Sequence, residues 1–509
     1  MKQVSLLALF TILFAPAFSW GLTIKTSSII EQPSVEVLGD YKGFWYVIGF
    51  DKPGNMNKPP EYKIMKYTPG FPSAKTSITF NSFGEKTVYL RAAFIGGKIS
   101  LFYGKCEKRE DVKFMLDGRE GHSPMSQIYR QDFDPGTLEG VGGPQLIYDE
   151  LDEHFSAAGM DIAYSQDRSK AAILIKCYYR QQFYKVILFD DKAGQVYSKI
   201  FNFKDTKEFL QFQGISVHNN GESVVVAKVR TDVVTLNSSS KDKKVAKFYV
   251  FGIDNAGNTP KAETIESPAS GHYLKDPTLS TLSTNETVVA FPYTDNEKSN
   301  AISGILLKKF NGSLSGGGSR DVCADPAMLA QAADFGVGKK DKGFPFLAIQ
   351  QILPLEGGGF MVLAEHQKDS KKDPKDTVAV CERHYLIAYR FDGGMALKGS
   401  NFIAKKQLSS TVGYSFSARA YAVKGDVYLF YNDNWEADEE HGTNLMCTRL
   451  PADGSAASTQ KVVHTSDDFF TSMEQVFPRA DGKVMFTEEK LVDFEDVSRQ
   501  VKLLEVSLK

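Results

Sequence analysis

The chain has 509 residues, with 42% apolar and 24% charged residues, which is ordinary for a globular protein with a large core. Its formal net charge is −2, so no global field draws it to nucleic acid or to an anionic membrane. Its 36 Phe and 22 Tyr suit strands, and its five cysteines are too few for a disulfide-built scaffold.

The first nineteen residues read as a signal peptide. Lys2 supplies the positive end, Leu6 to Phe14 the apolar stretch, and Ala15, Ala17 and Ser19 the small residues for cleavage. That stretch is too short to span a bilayer, and no later segment is apolar for long enough. The mature chain, from residue 20 on, is expected to be exported to the periplasm or the medium as a monomer, with no transmembrane segment and no nucleic-acid partner.

From there one pattern repeats eight times: apolar strand, loop, apolar strand, tight polar turn. The clearest strands are Gly43 to Ile48, Lys98 to Tyr103, Ala172 to Ile175, Ser223 to Ala227, Thr287 to Phe291, Gly359 to Leu363, Asp426 to Phe430 and Lys483 to Phe486. They recur roughly every 45 to 70 residues, a spacing that fits four strands and signals a propeller or another repeat array. The prediction is therefore an all-β chain forming a single β-propeller. Eight four-stranded blades are expected, with seven as the alternative count.

In chain order the units are 34–82, 86–134, 158–204, 209–267, 271–322, 345–405, 413–464 and 472–508. Within each, strands A to D run from the axis outward. Third strands include Tyr184 to Phe189, Lys247 to Phe251 and His384 to Tyr389. After them come turns such as Asp190-Asp191-Lys192-Ala193-Gly194, Asp254-Asn255-Ala256-Gly257 and Asp392-Gly393-Gly394. Asp and Asn cap such bends through their side chains, and Gly supplies positive φ. Two insertions interrupt the pattern. Residues 135–157 are read as a connection carrying a short helix over Pro144 to Phe155, and 313–344 as a Gly/Ser tract with a second helix near Pro326 to Ala333. The last unit lacks a fourth strand, and Leu22 to Thr26 is a strand without a unit. The N-terminal strand is thus expected to pair with the C strand of unit eight and close the ring, which hides both edges.

The A–B and C–D turns are tight, whereas the B–C loops are long. In a radial array B–C and D–A connections share one face, so that face is where function is expected. Candidate ligand-binding residues at its strand ends are Tyr178, Arg180, Tyr293, Glu365, His366, Tyr431, Asp433 and Trp435. The acidic loop 432–441 offers oxygen ligands but not the EF-hand order, so calcium stays open while no cofactor and no metal site is predicted. The eight His form no HxH or HExxH pair, and there is no CxxC. A G-x-S-x-G elbow and a P-loop are both missing. Cys177 and Cys447 lie in apolar strands and read as buried thiols, while Cys323 and Cys381 could pair.

The strand at 358–365 (GGFMVLAE), the strand at 385–392 (YLIAYRFD) and the strand end at 428–434 (YLFYNDN) resemble those of secreted bacterial β-propeller proteins of the Bacteroidota type. The likeness spans nearly all of the mature chain. WD40, kelch and Asp-box signatures are absent, and three Trp are too few for the quinone-dehydrogenase propellers. It implies a secreted propeller and assigns no catalytic residue. The sequence therefore favours a non-catalytic ligand-binding or scaffold propeller with a glycan or protein ligand. The alternative is a glycan-active hydrolase or lyase using carboxylates from separate blades, with Glu365, Asp433 and Glu488 at equivalent strand ends. A third reading is a protein-interaction or adhesion module.

Overall fold

A computed structural model describes residues 22–28, 30, 34–50, 61–68, 74–81, 87–106, 125–149, 157–177, 183–191, 194–202, 209–230, 247–258, 261–267, 272–314, 317–335, 342–370, 380–409, 418–433, 443–465, 470–479, 481–493 and 498–508. The signal-peptide reading lies outside these residues.

The fold is an eight-bladed β-propeller. Blade one is built from Ser34–Tyr41, Phe44–Phe50, Glu61–Tyr67 and Thr76–Asn81, and blade two from Thr87–Ile95, Lys98–Cys106, Met125–Phe133 and Gly140–Asp149. Blade three holds Ala157–Tyr164, Lys170–Cys177, Phe183–Asp190 and Gly194–Asn202, and blade four Phe209–Val217, Ser223–Arg230, Phe248–Ile253 and Lys261–Ile265. Blade five has a split inner strand, Tyr273–Leu274 and Thr278–Thr281, then Thr287–Thr294, Ala301–Phe310 and Ser319–Cys323. Blade six is Leu347–Pro354, Phe360–His366, Val380–Phe391 and Leu397–Ser409, and blade seven is Arg419–Val423, Asp426–Asp433, Thr443–Leu450 and Ser458–Thr465. Blade eight is Phe470–Pro478, Lys483–Asp493 and Ser498–Leu508, completed by the N-terminal strand Leu22–Thr26.

The B and C strands read as unbroken apolar runs because both of their faces are buried. Alternate residues serve opposite neighbours. Val225 and Ala227 pack against Leu174 and Val186 of blade three, whereas Val224 and Val226 pack against Val289 and Phe291 of blade five. The same division gives each of the eight gaps between blades its own apolar cluster.

Closure is as the sequence leads one to expect. Leu22 faces Leu508 and Ile24 faces Val506 in antiparallel register. Beyond the strand, the Ser27 and Ile30 amides donate to the carbonyls of Leu503 and Val501 at 2.9 and 2.8 Å. On the far side of blade eight, the buried indole of Trp45 in blade one donates to Glu505 Oε2 at 2.9 Å.

Two readings need correction. Residues 140–149 form the outer strand of blade two, not a helix. The Leu146, Ile147 spacing suggested a helical face, but Pro144 sits on an outermost strand, where a missing donor costs no ladder bond. Residues 150–155 of that expected helix lie outside the described residues. Cys323 and Cys381 do not pair: both are free thiols, on strands of blades five and six. The second expected helix is present at Pro326–Gln331, capped by Asp325, whose carboxylate accepts from the Ala327 amide at 2.8 Å.

Candidate functional site

The described candidate residues sit at the loop-face ends of B strands and divide among three gaps between blades. Tyr178, Arg180 and Trp435 lie outside the described residues, as does loop 434–442. Neighbouring blades cover these ends, so Tyr293, Glu365, His366 and Tyr431 are all buried rather than displayed on a rim.

Glu365 and Tyr431 meet in the gap between blades six and seven. Glu365 is wholly buried, and its carboxylate is bound by the ammonium of Lys405, also wholly buried, from the outer strand of the same blade. Its second oxygen accepts from Gln367 Nε2 at 3.0 Å, and Lys405 also donates to Gln407 Oε1 at 3.3 Å. The Lys405 nitrogen lies 5.9 Å from the centre of the Tyr431 ring, a cation over an aromatic face. The Tyr431 hydroxyl shares a hydrogen bond with Thr448 at 3.2 Å, and burial raises its pKa.

His366 points the other way, toward blade five. Its ring stacks on His384 at 5.0 Å and lies 5.1 Å from that of Tyr385. Burial, and then the charge of His384, push the His366 pKa down to about 4, so it is neutral at pH 7. Glu382 accepts from Lys368 at 3.0 Å and lies 3.4 Å from His384, which holds its carboxyl below the usual range despite partial burial.

Tyr293 faces blade four. Its ring covers Gly304, where any side chain would strike it, and stacks on His272 at 4.6 Å. The hydroxyl donates to Asp321 at 2.9 Å, and burial raises its pKa far beyond the ordinary value. Asp433 is half-buried at the end of its strand, while neighbouring Asn432 is spent in the core, donating to the Thr471 carbonyl at 2.7 Å. Glu488 is buried in blade eight, paired in register with Lys502, and burial raises its pKa against the pull of that lysine.

Glu365 and Glu488 are thus each matched to a lysine of their own blade. Among the described residues no group of three or more His, Cys, Asp and Glu side chains could hold a metal ion. Lys405, His384 and His272, which define these gaps, carry no local signal. Lys405 reads as half of a solvated Lys-Lys pair, and only the pairing of strands C and D turns it inward.

No family model matches the chain, and no curated protein matches it. Many solved structures do. The polysaccharide lyase Uly1 is 10% identical, covers 94% of this chain and 90% of its own, and has a TM-score of 0.43. The propeller domain of the Trilobed protease from Pyrococcus furiosus is 9% identical over 84% of this chain and 97% of its own, at 0.38. A post-proline cleaving enzyme from Rickettsia typhi is 8% identical at 0.40, and this chain spans 58% of its length. At such values the likenesses say nothing of the chemistry here. Among the described residues, no helix is long and apolar enough to cross a membrane.

Proposed function

We propose that this protein is an exported, non-catalytic binding propeller that takes a glycan or protein ligand on the face formed by its B–C and D–A loops. Export rests on the N-terminal segment, where Lys2 precedes the apolar run Leu6 to Phe14 and the small residues Ala15, Ala17 and Ser19. The observation that carries the binding reading is the fate of Glu365. A general acid or nucleophile must reach a substrate, and this carboxylate is wholly buried and held by Lys405. A rigid eight-bladed ring with long connections on one face is a platform suited to recognition.

One observation favours a second reading, a glycan-active enzyme. Glu488 carries a carboxyl whose pKa is raised by burial, the property a general acid needs near neutral pH. A thermal-shift screen of the mature protein against Ca²⁺, EDTA and a polysaccharide panel separates the two, because ligands of the native state raise its melting point. Each polysaccharide that shifts it is then assayed for new reducing or unsaturated ends. A shift without product supports the binding reading. Product that disappears in Glu488→Gln overturns it in favour of the enzyme. No shift with any polysaccharide directs the search to protein ligands.

A further inference from the structure

The innermost strands hold a charged site of their own, remote from the B-strand ends. The A strands of neighbouring blades pack against one another around the axis, and each is bonded on its outer side to its B strand. Crowding there distorts them in a repeated way. The A–B register slips at Val37/Gly39, Tyr89/Arg91, Ala157/Gly159, Phe212/Gly214, Ile349/Gln351 and Ser472/Phe477, that is, in blades one, two, three, four, six and eight. A bulge of this kind re-aims the side chain beside it.

In blade two the re-aimed residue is Arg91. Its neighbours Ala92 and Ala93 are buried in the gaps toward blades one and three. Arg91 itself is exposed. Both flanks of this strand are covered by other blades and its outer side by strand B, so the exposure is to the axial channel. Among the described residues the Arg91 side chain makes no hydrogen bond and no ion pair within 4 Å. Glu36 of blade one, whose carboxyl feels the charge of Arg91, is committed by hydrogen bond elsewhere, accepting from the Tyr89 hydroxyl. Burial, the largest effect on Glu36, raises its pKa against that hydrogen bond and the pull of Arg91. Tyr164 of blade three, 37% exposed, stands within electrostatic reach of Arg91, Glu36 and Arg168.

We propose that the axial channel is an anion-binding site, in which the exposed guanidinium of Arg91 receives the oxyanion end of a carboxylate, sulfate or phosphate. A guanidinium presents a planar fork of donors matched to two oxygens. Apolar walls around a charge focus its field, although the whole chain is slightly acidic. The bulge at Leu90 and the diversion of Glu36 to Tyr89 both leave the charge available, where a simple structural arginine would be paired.

Calorimetric titration of the mature protein with sulfate, phosphate and glucuronate, each at fixed ionic strength, tests this. Saturable binding with a Kd below about 1 mM is expected for at least one of them. In Arg91→Gln that Kd should rise at least tenfold, and in Arg91→Lys, which keeps the charge without the fork, by less. Glu36→Gln should bind as tightly as the parent, since the carboxyl is not a ligand. A preference for glucuronate would identify the end of an acidic sugar chain, and a preference for sulfate or phosphate a tetrahedral anion. The proposal is overturned if Arg91→Gln binds unchanged. It is equally overturned if heat appears only as a non-saturating response at high salt, the signature of general ion effects. Should Arg91→Gln fail to fold, the graded loss in Arg91→Lys decides.

Discussion

Replacing Lys405 by Met is the sharpest probe of the interior. Methionine nearly conserves the volume, so packing between blades six and seven changes little. What changes is electrostatic. The carboxylate of Glu365, 0% exposed like its partner, keeps Gln367 at 3.0 Å but loses the Lys405 ammonium. Leaving one member of a buried pair uncompensated costs about 3–5 kcal/mol. Urea unfolding of parent, Lys405→Met, Glu365→Leu and the double variant forms a thermodynamic cycle. The double variant is expected within about 1 kcal/mol of the parent, because a buried ion pair gains little over apolar side chains of similar size. A loss below about 1 kcal/mol in Lys405→Met would refute the reasoning, since it means that water reaches the pair.

Other perturbations follow from the same geometry. Deleting residues 18–33 together with the signal peptide removes the strand that completes blade eight, with the half-buried Leu22 and Ile24 worth about 2 kcal/mol between them. The exposed edge should lower the melting point and shift the protein from monomer to aggregate in size-exclusion chromatography; an unchanged profile would remove the latch. His366 titrates at about 4 when folded against 6.5 in its ordinary state, so the unfolded chain binds its proton first as the pH falls. Its contribution is intact above pH 6.5, shrinks by about 2 kcal/mol by pH 5 and levels off below pH 4. Urea titrations at pH 7.5 and 5 should show that loss in the parent but not in His366→Gln. Gly252 in blade four lies against the Gly312 carbonyl of blade five, so an added methyl group would strike backbone that cannot step aside. Gly252→Ala should cost about 1–3 kcal/mol in urea unfolding, whereas the open site at Gly143 should tolerate alanine.

Much of this architecture was legible in the chain because a propeller repeats one local solution. Every B strand must be apolar on both faces, every C–D turn needs Asp, Asn or Gly, and such signals reinforce one another from blade to blade. Blade eight even announced its missing partner, since a unit without an outer strand and a strand without a unit have one consistent resolution. The helix expected over Pro144 to Phe155 failed where the repeat gives least guidance. An outermost strand is solvated, so its composition is free, and burial runs exposed from Gly140 to Leu146.

The candidate site divides along a similar line. Sequence placed Glu365, His366, Tyr293 and Tyr431 at the loop-face ends of B strands. What it left open was which way each points and what it meets, because those depend on the neighbouring blade and on strand register. Lys405, two residues on from Ile403 along its strand, became the buried partner of Glu365. A register slip set Arg91 toward the channel while Glu36 turned to Tyr89. Strand, turn and ring closure are properties of local pattern and chain order, which the sequence by itself determines. Burial of charge and the choice of ionic partner belong to contacts between strands far apart in the chain, and only the assembled ring decided them.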